Sequence, residues 1–312
     1  MSLERALELA AAARGVAYPN PTVGAVLVAD GQAVAEGVTE PYGGRHGEVV
    51  ALDAAGVHAR GATLYVTMEP CGHHGRTPPC VDAIVAAGVA RVVAGCLDPN
   101  PEAAGGLDLL RAAGVDASVD DRLEARRQNE GWRTWTSLGR PFVTYKVAAT
   151  LDGRVTVPGA RWVTGEASRR RVHELRAVSD AVAVGMGTVA ADAPRLDARD
   201  VPVARQPRRL AFGRGPLPAA SDLELRSGGL VEELSALAAE GVQSLLLEGG
   251  PTLATAFLEA GLVDKLLVFV APTLSGGGPR LLGDLTSPLQ LLHLTSSRVG
   301  DDVLLEAYLR EP

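Results

Sequence analysis

The sequence predicts an α/β protein built as two successive domains. Its length of 312 residues exceeds the roughly 250–300 residues that a single hydrophobic core serves. Strand-length apolar runs alternate with helix-period segments twice over, and the periodicity lapses between residues 131 and 140. A content of 46% hydrophobic and 21% charged residues places both halves in the globular range, and aromatics at 4% leave Ala, Val and Leu to build the cores.

The first half opens with Leu3, Ala6, Leu7 and Ala10 at helical spacing behind Ser2, a capping residue, which predicts a packing helix. Residues 23–28 and 33–38 flank Asp30-Gly31 and predict a strand pair joined by a tight turn. Residues 46–55 suit a buried helix stopped by Gly56. Strands are expected at 63–67, 89–96 and 115–119, with helices at 80–87, 107–113 and 121–129. The boundary falls near residue 140, ahead of Pro141, giving domains 1–140 and 141–312.

The second half begins with a strand at 142–148, the turn pair Asp152-Gly153 and a strand at 154–157. Thr164 caps a helix reaching 178, and a strand at 181–184 enters Gly185-Met186-Gly187-Thr188. Residues 192–208, rich in Pro and Arg, form a loop long enough to be functional. A strand at 209–212, a helix at 230–239, a strand at 244–247, a helix at 251–260 and a strand at 265–270 complete a second α/β unit.

No apolar run approaches the roughly 18 residues of a membrane span, and the N-terminus MSLERALELA lacks a basic segment followed by an apolar one. A cytoplasmic protein is expected. Three cysteines in such a chain disfavour a disulfide framework and leave free thiol, metal ligand or nucleophile as roles. Cys96, inside an apolar strand, reads as a core thiol. A net charge of −7 argues against nucleic acid as a partner and leaves a small ligand.

One constellation carries chemistry. His46 opens a helix, Cys71 follows a strand, and Cys80 opens the next helix, where the backbone N–H groups favour a thiolate. Two thiolates and one imidazole leave a tetrahedral Zn²⁺ with one open position, the arrangement of catalytic sites. Water there is acidified, and Glu48, two residues beyond the histidine, is placed to move its proton. Zinc nucleobase deaminases carry H-x-E followed by P-C-x-x-C. Here His46-Gly47-Glu48 and Pro70-Cys71 match, but eight residues separate the cysteines. His73 and His74 within that insert are rival ligands.

The insert itself is informative. Pro70-Cys71-Gly72-His73-His74-Gly75-Arg76-Thr77-Pro78-Pro79-Cys80 resembles the bifunctional riboflavin-biosynthesis deaminase/reductase family. Pro19-Asn20-Pro21-Thr22-Val23-Gly24 resembles that family's substrate loop, and Lys146-Val147-Ala148-Ala149-Thr150-Leu151-Asp152-Gly153, Trp162-Val163-Thr164-Gly165 and Glu248-Gly249-Gly250-Pro251-Thr252 resemble its reductase half. The resemblance implies a cytidine-deaminase-like domain followed by a dihydrofolate-reductase-like domain. It implies hydrolytic deamination of 2,5-diamino-6-ribosylamino-4-pyrimidinone 5′-phosphate, then reduction of the ribosyl group with NADPH to give 5-amino-6-ribitylaminouracil 5′-phosphate. It also implies a homo-oligomer.

Carried over residue by residue, the family's contacts place Asn20 on the pyrimidine and Lys146 near the reacting ribose. They place Ala149, Trp162, Thr188, Asp192, Gly250, Pro251 and Thr252 on NADPH. Ala160, Arg176, Leu196, Arg199 and Glu248 fall on the sugar phosphate. Arg176 and Arg199 are suited to gripping the 5′-phosphate, and Arg205, Arg208 and Arg209 to meeting the cofactor's 2′-phosphate. Thr150 replaces a serine of the family motif, and Gly213 stands where an acidic residue is common. Two other readings predict different behaviour: a tRNA-base deaminase with a binding module, or a structural zinc module closed by His73 or His74.

Overall fold

The computed structural model describes residues 2–219 and 221–312. The chain divides into two compact units after Leu138, the second spanning Gly139–Glu311. Met1, within the expected first domain, lies outside the described residues, and Ser2 is the first helical residue rather than a cap.

The first unit runs α1 (Ser2–Ala12), β1 (Gly24–Ala29), β2 (Gln32–Val38), α2 (Gly47–Ala55), β3 (Thr63–Val66), α3 (Cys80–Ala87), β4 (Arg91–Ala94), α4 (Gly106–Ala112), β5 (Asp116–Val119), α5 (Leu123–Gln128) and α6 (Glu130–Leu138). Its sheet has the order β2-β1-β3-β4-β5. The Asp30-Gly31 turn makes β1 and β2 antiparallel, and β1 also runs antiparallel to β3, whereas β3, β4 and β5 are parallel. Strand alternation sends Ala25, Leu27, Leu64 and Val66 to one face, where they meet Ala51, Leu52, Ile84 and Leu110. Val26, on the other face, packs against Leu3 and Ala6 of α1.

The second unit runs β6 (Phe142–Thr150), α7 (Glu166–Ala177), β7 (Ala181–Gly185), α8 (Met186–Asp192), β8 (Arg208–Phe212), β9 (Glu224–Arg226), α9 (Leu230–Ala239), β10 (Ser244–Leu247), α10 (Pro251–Glu259), β11 (Lys265–Ala271), β12 (Leu292–Val299) and β13 (Asp302–Tyr308). The eight strands are ordered β12-β13-β11-β6-β10-β7-β8-β9. From β11 to β9 every pair is parallel, and β13 and β12 close the sheet antiparallel. Val143, Tyr145 and Val147 of β6 pack with Phe257 and Leu258 of α10. At the start of this unit the fully buried Asp264 carboxylate receives both terminal nitrogens of Arg140 at 2.7 Å and the Val143 N–H at 2.8 Å.

Several elements depart from the pattern reading, each for a physical reason. The expected helix at 121–129 breaks at Asn129, whose side chain accepts from the Thr22 N–H at 2.9 Å and donates to the Thr22 carbonyl at 3.0 Å. The aperiodic stretch after it is helix α6, in which only Thr134 is fully buried. Residues 186–192 form α8, which buries Val189 alone and shows no apolar stripe. The expected strand at 154–157 is a loop making a single bridge, Arg154 to Arg280. The hairpin β12–β13 was not anticipated, because β12 is exposed along its length and is held by ladder hydrogen bonds rather than by burial.

Candidate active sites

Three elements deliver the candidate metal ligands. His46 sits at the cap position of α2, Cys71 follows β3 across a short loop, and Cys80 is the first residue of α3. His46 Nδ1 lies 3.2 Å from Cys80 Sγ and 3.6 Å from Cys71 Sγ, and the three donor atoms all fall within 4.8 Å of one another. Donors on a tetrahedral zinc, with bonds of about 2.3 Å to sulfur and 2.0–2.1 Å to nitrogen, stand roughly 3.5–3.8 Å apart, so the residues fit the ion. The other ring nitrogen of His46 faces Thr77 Oγ1 at 3.4 Å, a partner that orients the imidazole. Among the described residues no other group of three His, Cys, Asp or Glu gathers in this way. His73 and His74 are not part of the cluster, which therefore offers three protein ligands and not four.

The electrostatics suit a cation. The hydrogen bond from the Cys80 thiol, with help from His46 and the Cys80 N–H, brings Cys71 down to about 4. The same bond, together with burial, pushes Cys80 up. The proton shared by this pair is what a divalent ion displaces. Glu48, in the first turn of α2, is buried, and burial pushes its carboxyl up to about 7 against the pull of His46. Its Oε2 is enclosed without a hydrogen-bond partner. A buried acceptor left unpaired costs about 1–3 kcal/mol, so this oxygen is set up for a donor that arrives with substrate or water.

Close backbone approaches hold these ligands in place. A Cβ on Gly47 would stand 2.4 Å from the Val23 carbonyl oxygen, which explains the small residue between His46 and Glu48. A Cβ on Gly106 would stand 1.8 Å from the Pro70 carbonyl oxygen, so α4 packs directly on the segment carrying Cys71. Glu69, one residue earlier, is buried and accepts from the Leu107 N–H at 3.0 Å and the Asp98 N–H at 3.1 Å. Sequence reasoning passed over Glu69, although a carboxylate beside Pro70-Cys71 at the end of an apolar strand was a visible signal. Asn20 lies exposed in the segment before β1, its N–H donating to the Ala17 carbonyl at 2.9 Å.

In the second unit a cleft of about 930 Å³ opens where β7 and β10 end and α8 and α10 begin, the edge at which parallel sheets bind ligands. Lys146, Ala160, Trp162, Arg176, Thr188, Asp192, Arg199, Glu248, Gly250, Pro251 and Thr252 all line it. Ala149 and Leu196 do not. Alternation along β6 turns Ala149 into the core beside Val147, and Leu196 is buried among Val182, Val184 and Leu246, so neither presents its side chain. Trp162 is not a core residue, being 52% exposed.

At the floor Arg176 grips Glu248 with two bonds, Nε to Oε1 at 2.6 Å and Nη2 to Oε2 at 2.8 Å, while Lys146 Nζ stands 3.9 Å from Oε2. Burial lowers Lys146, opposed by Glu248. For Glu248 burial works upward, but Arg176 and Lys146 outweigh it and the carboxylate stays ionised. Arg199 pairs with Asp197 at 2.7 Å. The two arginines expected to clamp a phosphate are thus each already engaged with a carboxylate. Arg205, Arg208 and Arg209 do not line the cleft. They precede or begin β8, at the edge of the sheet opposite the ligand-binding ends, and pair with Asp180, with Glu224 and Glu240, and with Asp222. The cleft instead presents Arg161, Arg169 and His173, which the motif comparison overlooked. The spacing 169, 173, 176 along α7 was the available signal.

The profile of the cytidine and deoxycytidylate deaminase zinc-binding region matches residues 2–96, and that of the RibD C-terminal domain matches residues 141–305. The riboflavin biosynthesis protein RibD of Aquifex aeolicus is 41% identical over 343 residues, covering 97% of this chain and 96% of that protein. Its Escherichia coli counterpart is 40% identical over 325 residues and 89% of each chain. The structure of Acinetobacter baumannii RibD superposes with a TM-score of 0.82 at 36% identity, covering 98% of this chain and 97% of that one. The diaminohydroxyphosphoribosylaminopyrimidine deaminase/5-amino-6-(5-phosphoribosylamino)uracil reductase of Thermotoga maritima gives 0.83 at 32%, with the same coverage. A zinc-deaminase segment with three converging ligands, followed by a reductase-type domain with its own cleft, matches these relatives from end to end: the chain belongs to the RibD family of bifunctional riboflavin-biosynthesis enzymes.

Proposed function

We propose that the first domain, residues 1–140, deaminates 2,5-diamino-6-ribosylamino-4-pyrimidinone 5′-phosphate, and that the second domain, residues 141–312, reduces the deaminated product's ribosyl group with NADPH. The observation that carries the reading is the convergence of His46 Nδ1, Cys71 Sγ and Cys80 Sγ beside the buried, unpartnered Oε2 of Glu48. His46, Cys71 and Cys80 would hold a zinc ion, which would supply Lewis acidity and make water acidic enough to attack. Glu48 takes a proton from the attacking water and returns it to the departing amine, so that water and the aminopyrimidine yield the oxo compound and ammonia. Burial raises the proton affinity of the Glu48 carboxyl, which favours its taking up the water proton. Asn20 orients the pyrimidine.

In the second unit NADPH supplies a hydride when bound. Thr188, Asp192 and the turn Gly250-Pro251-Thr252 hold the cofactor, with Trp162 alongside and Ala149 offering only backbone. Ala160, Arg176, Arg199 and Glu248 hold the sugar, Leu196 shaping the wall from behind. Lys146, an ammonium beside Glu248, gives a proton to the sugar oxygen released as the ring opens. The enzyme acts on small molecules in the cytoplasm as a homo-oligomer, without nucleic-acid or membrane partners. The net charge of −7 supports the first exclusion, and no helix among the described residues is long and apolar enough to cross a membrane.

Incubating the protein with the diaminopyrimidine phosphate, with and without NADPH, separates the two steps. Ammonia release without cofactor, and NADPH oxidation only after it, are expected. Cofactor oxidation with no ammonia release would overturn the order.

A further inference from the structure

The second unit's cleft carries two cationic poles along α7. Arg176 marks one and Arg169, seven residues earlier, the other, so they stand about 10 Å apart along the helix. At the Arg176 pole the charge is answered: Glu248 takes Arg176 in a two-bonded fork and Asp197 takes Arg199. At the other pole it is not. Arg169 Nη1 donates to the Thr164 carbonyl at 2.8 Å, and its guanidinium lies 5.5 Å from the Trp162 ring centroid, with Arg161 4.9 Å from the same centroid. Among the described residues neither Arg161 nor Arg169 has a carboxylate within 4.0 Å, although Glu166 lines the same cleft. Arg170, the remaining arginine here, pairs loosely with Glu174 at 3.8 Å.

We infer that Arg161, Trp162 and Arg169 form a binding site for a ribose-linked phosphate monoester at the mouth of the reductase cleft. Two guanidiniums without anionic partners offer charge-assisted donors for the three oxygens of such a group. Both guanidiniums lie within 5.5 Å of the Trp162 ring centroid, so the indole gathers them at one place in the cleft. Arg205, Arg208 and Arg209, which do not line the cleft and are paired with carboxylates, are not available to such a group there. The inference rests on the proposed reductase function, whose reactants carry this chemistry twice: the 2′-phosphate that distinguishes NADPH from NADH, and the 5′-phosphate of the pyrimidine substrate.

Titration calorimetry on the full chain tests it with two matched pairs, NADP⁺ against NAD⁺ and the ribityl phosphate product against its dephosphorylated form. In the unaltered protein one pair shows a preference for the phosphorylated member. In the double variant R161Q/R169Q that preference falls by on the order of tenfold to a hundredfold, while the unphosphorylated member binds as before. The pair that responds names the phosphate. R161K/R169K, which keeps the charge but not the fork, retains part of the preference, and the thermal midpoint of each variant verifies that it is folded. Unchanged preferences in both pairs overturn the inference, as does an equal loss for phosphorylated and unphosphorylated members. If the unaltered protein binds neither NADP⁺ nor the product, the reductase reading fails instead.

Discussion

Replacing Gly106 with alanine addresses the zinc site from a residue that touches no ligand. The new Cβ would lie 1.8 Å from the Pro70 carbonyl oxygen, and contacts under 3.0 Å essentially never occur, so the two backbones must part by about 1.2 Å. Pro70 immediately precedes Cys71, and metal–ligand distances tolerate errors of only about 0.2 Å. Overpacking strain of about 1–3 kcal/mol, if relieved by moving Cys71, weakens zinc roughly five- to 150-fold. Competition with a chromogenic chelator reads that change. G105A is the control: its φ of +89° strains an alanine, but nothing lies within 4 Å of the Cβ position, so stability falls while zinc affinity holds. Wild-type zinc affinity in G106A, with only a lowered unfolding midpoint, would show that α4 yields rather than Pro70 and would refute the reasoning.

Glu48→Gln keeps zinc by metal analysis and lowers deamination by about 10²–10⁴-fold, and loss of the metal along with activity would remove Glu48 from the proton-transfer role. Lys146→Ala lowers reduction and leaves ammonia release intact, and an equal fall in both activities of a folded variant would contradict two separate sites. Asp264→Ala strands the buried Arg140 guanidinium and costs about 3–5 kcal/mol, measured by urea unfolding of the second unit's near-ultraviolet signal. After zinc is stripped, Cys71, whose thiol is held low by the Cys80 thiol, His46 and the Cys80 N–H, is more reactive at pH 6 than Cys96, whose thiol burial pushes up to about 11. Mass spectrometry after brief alkylation at that pH is expected to find label on Cys71 ahead of Cys96, and zinc to protect Cys71.

The residues of the candidate metal site were legible because their chemistry is local. A thiolate at a helix start, an imidazole at another and a carboxylate two residues on retain their meaning without coordinates. The residues expected at the reductase cleft rested on likeness to relatives, and there the details shifted. Arg176 proved to be tied to Glu248, and Ala149 and Leu196 to face inward. Which face meets the core and which charges pair decide such matters, and both depend on the folded arrangement, as Arg176 and Glu248 illustrate at a separation of 72. Hairpin β12–β13 and helix α8 escaped for the converse reason, since neither buries a continuous apolar face from which a period could be read.

The two-domain α/β order, the hairpin at Asp30-Gly31 and the three donors of the candidate zinc site could be read from the residues alone, because turn chemistry, apolar periodicity and donor type are properties of neighbouring residues. The folded chain was needed to show that His73 and His74 lie outside the cluster of His46, Cys71 and Cys80, and that Glu69 and Gly106 brace the segment carrying Cys71. It also decided which arginines face the reductase cleft with their charge unanswered. Those outcomes turn on distances between segments far apart in the chain, and burial and Coulomb energies take effect only after folding has set those distances.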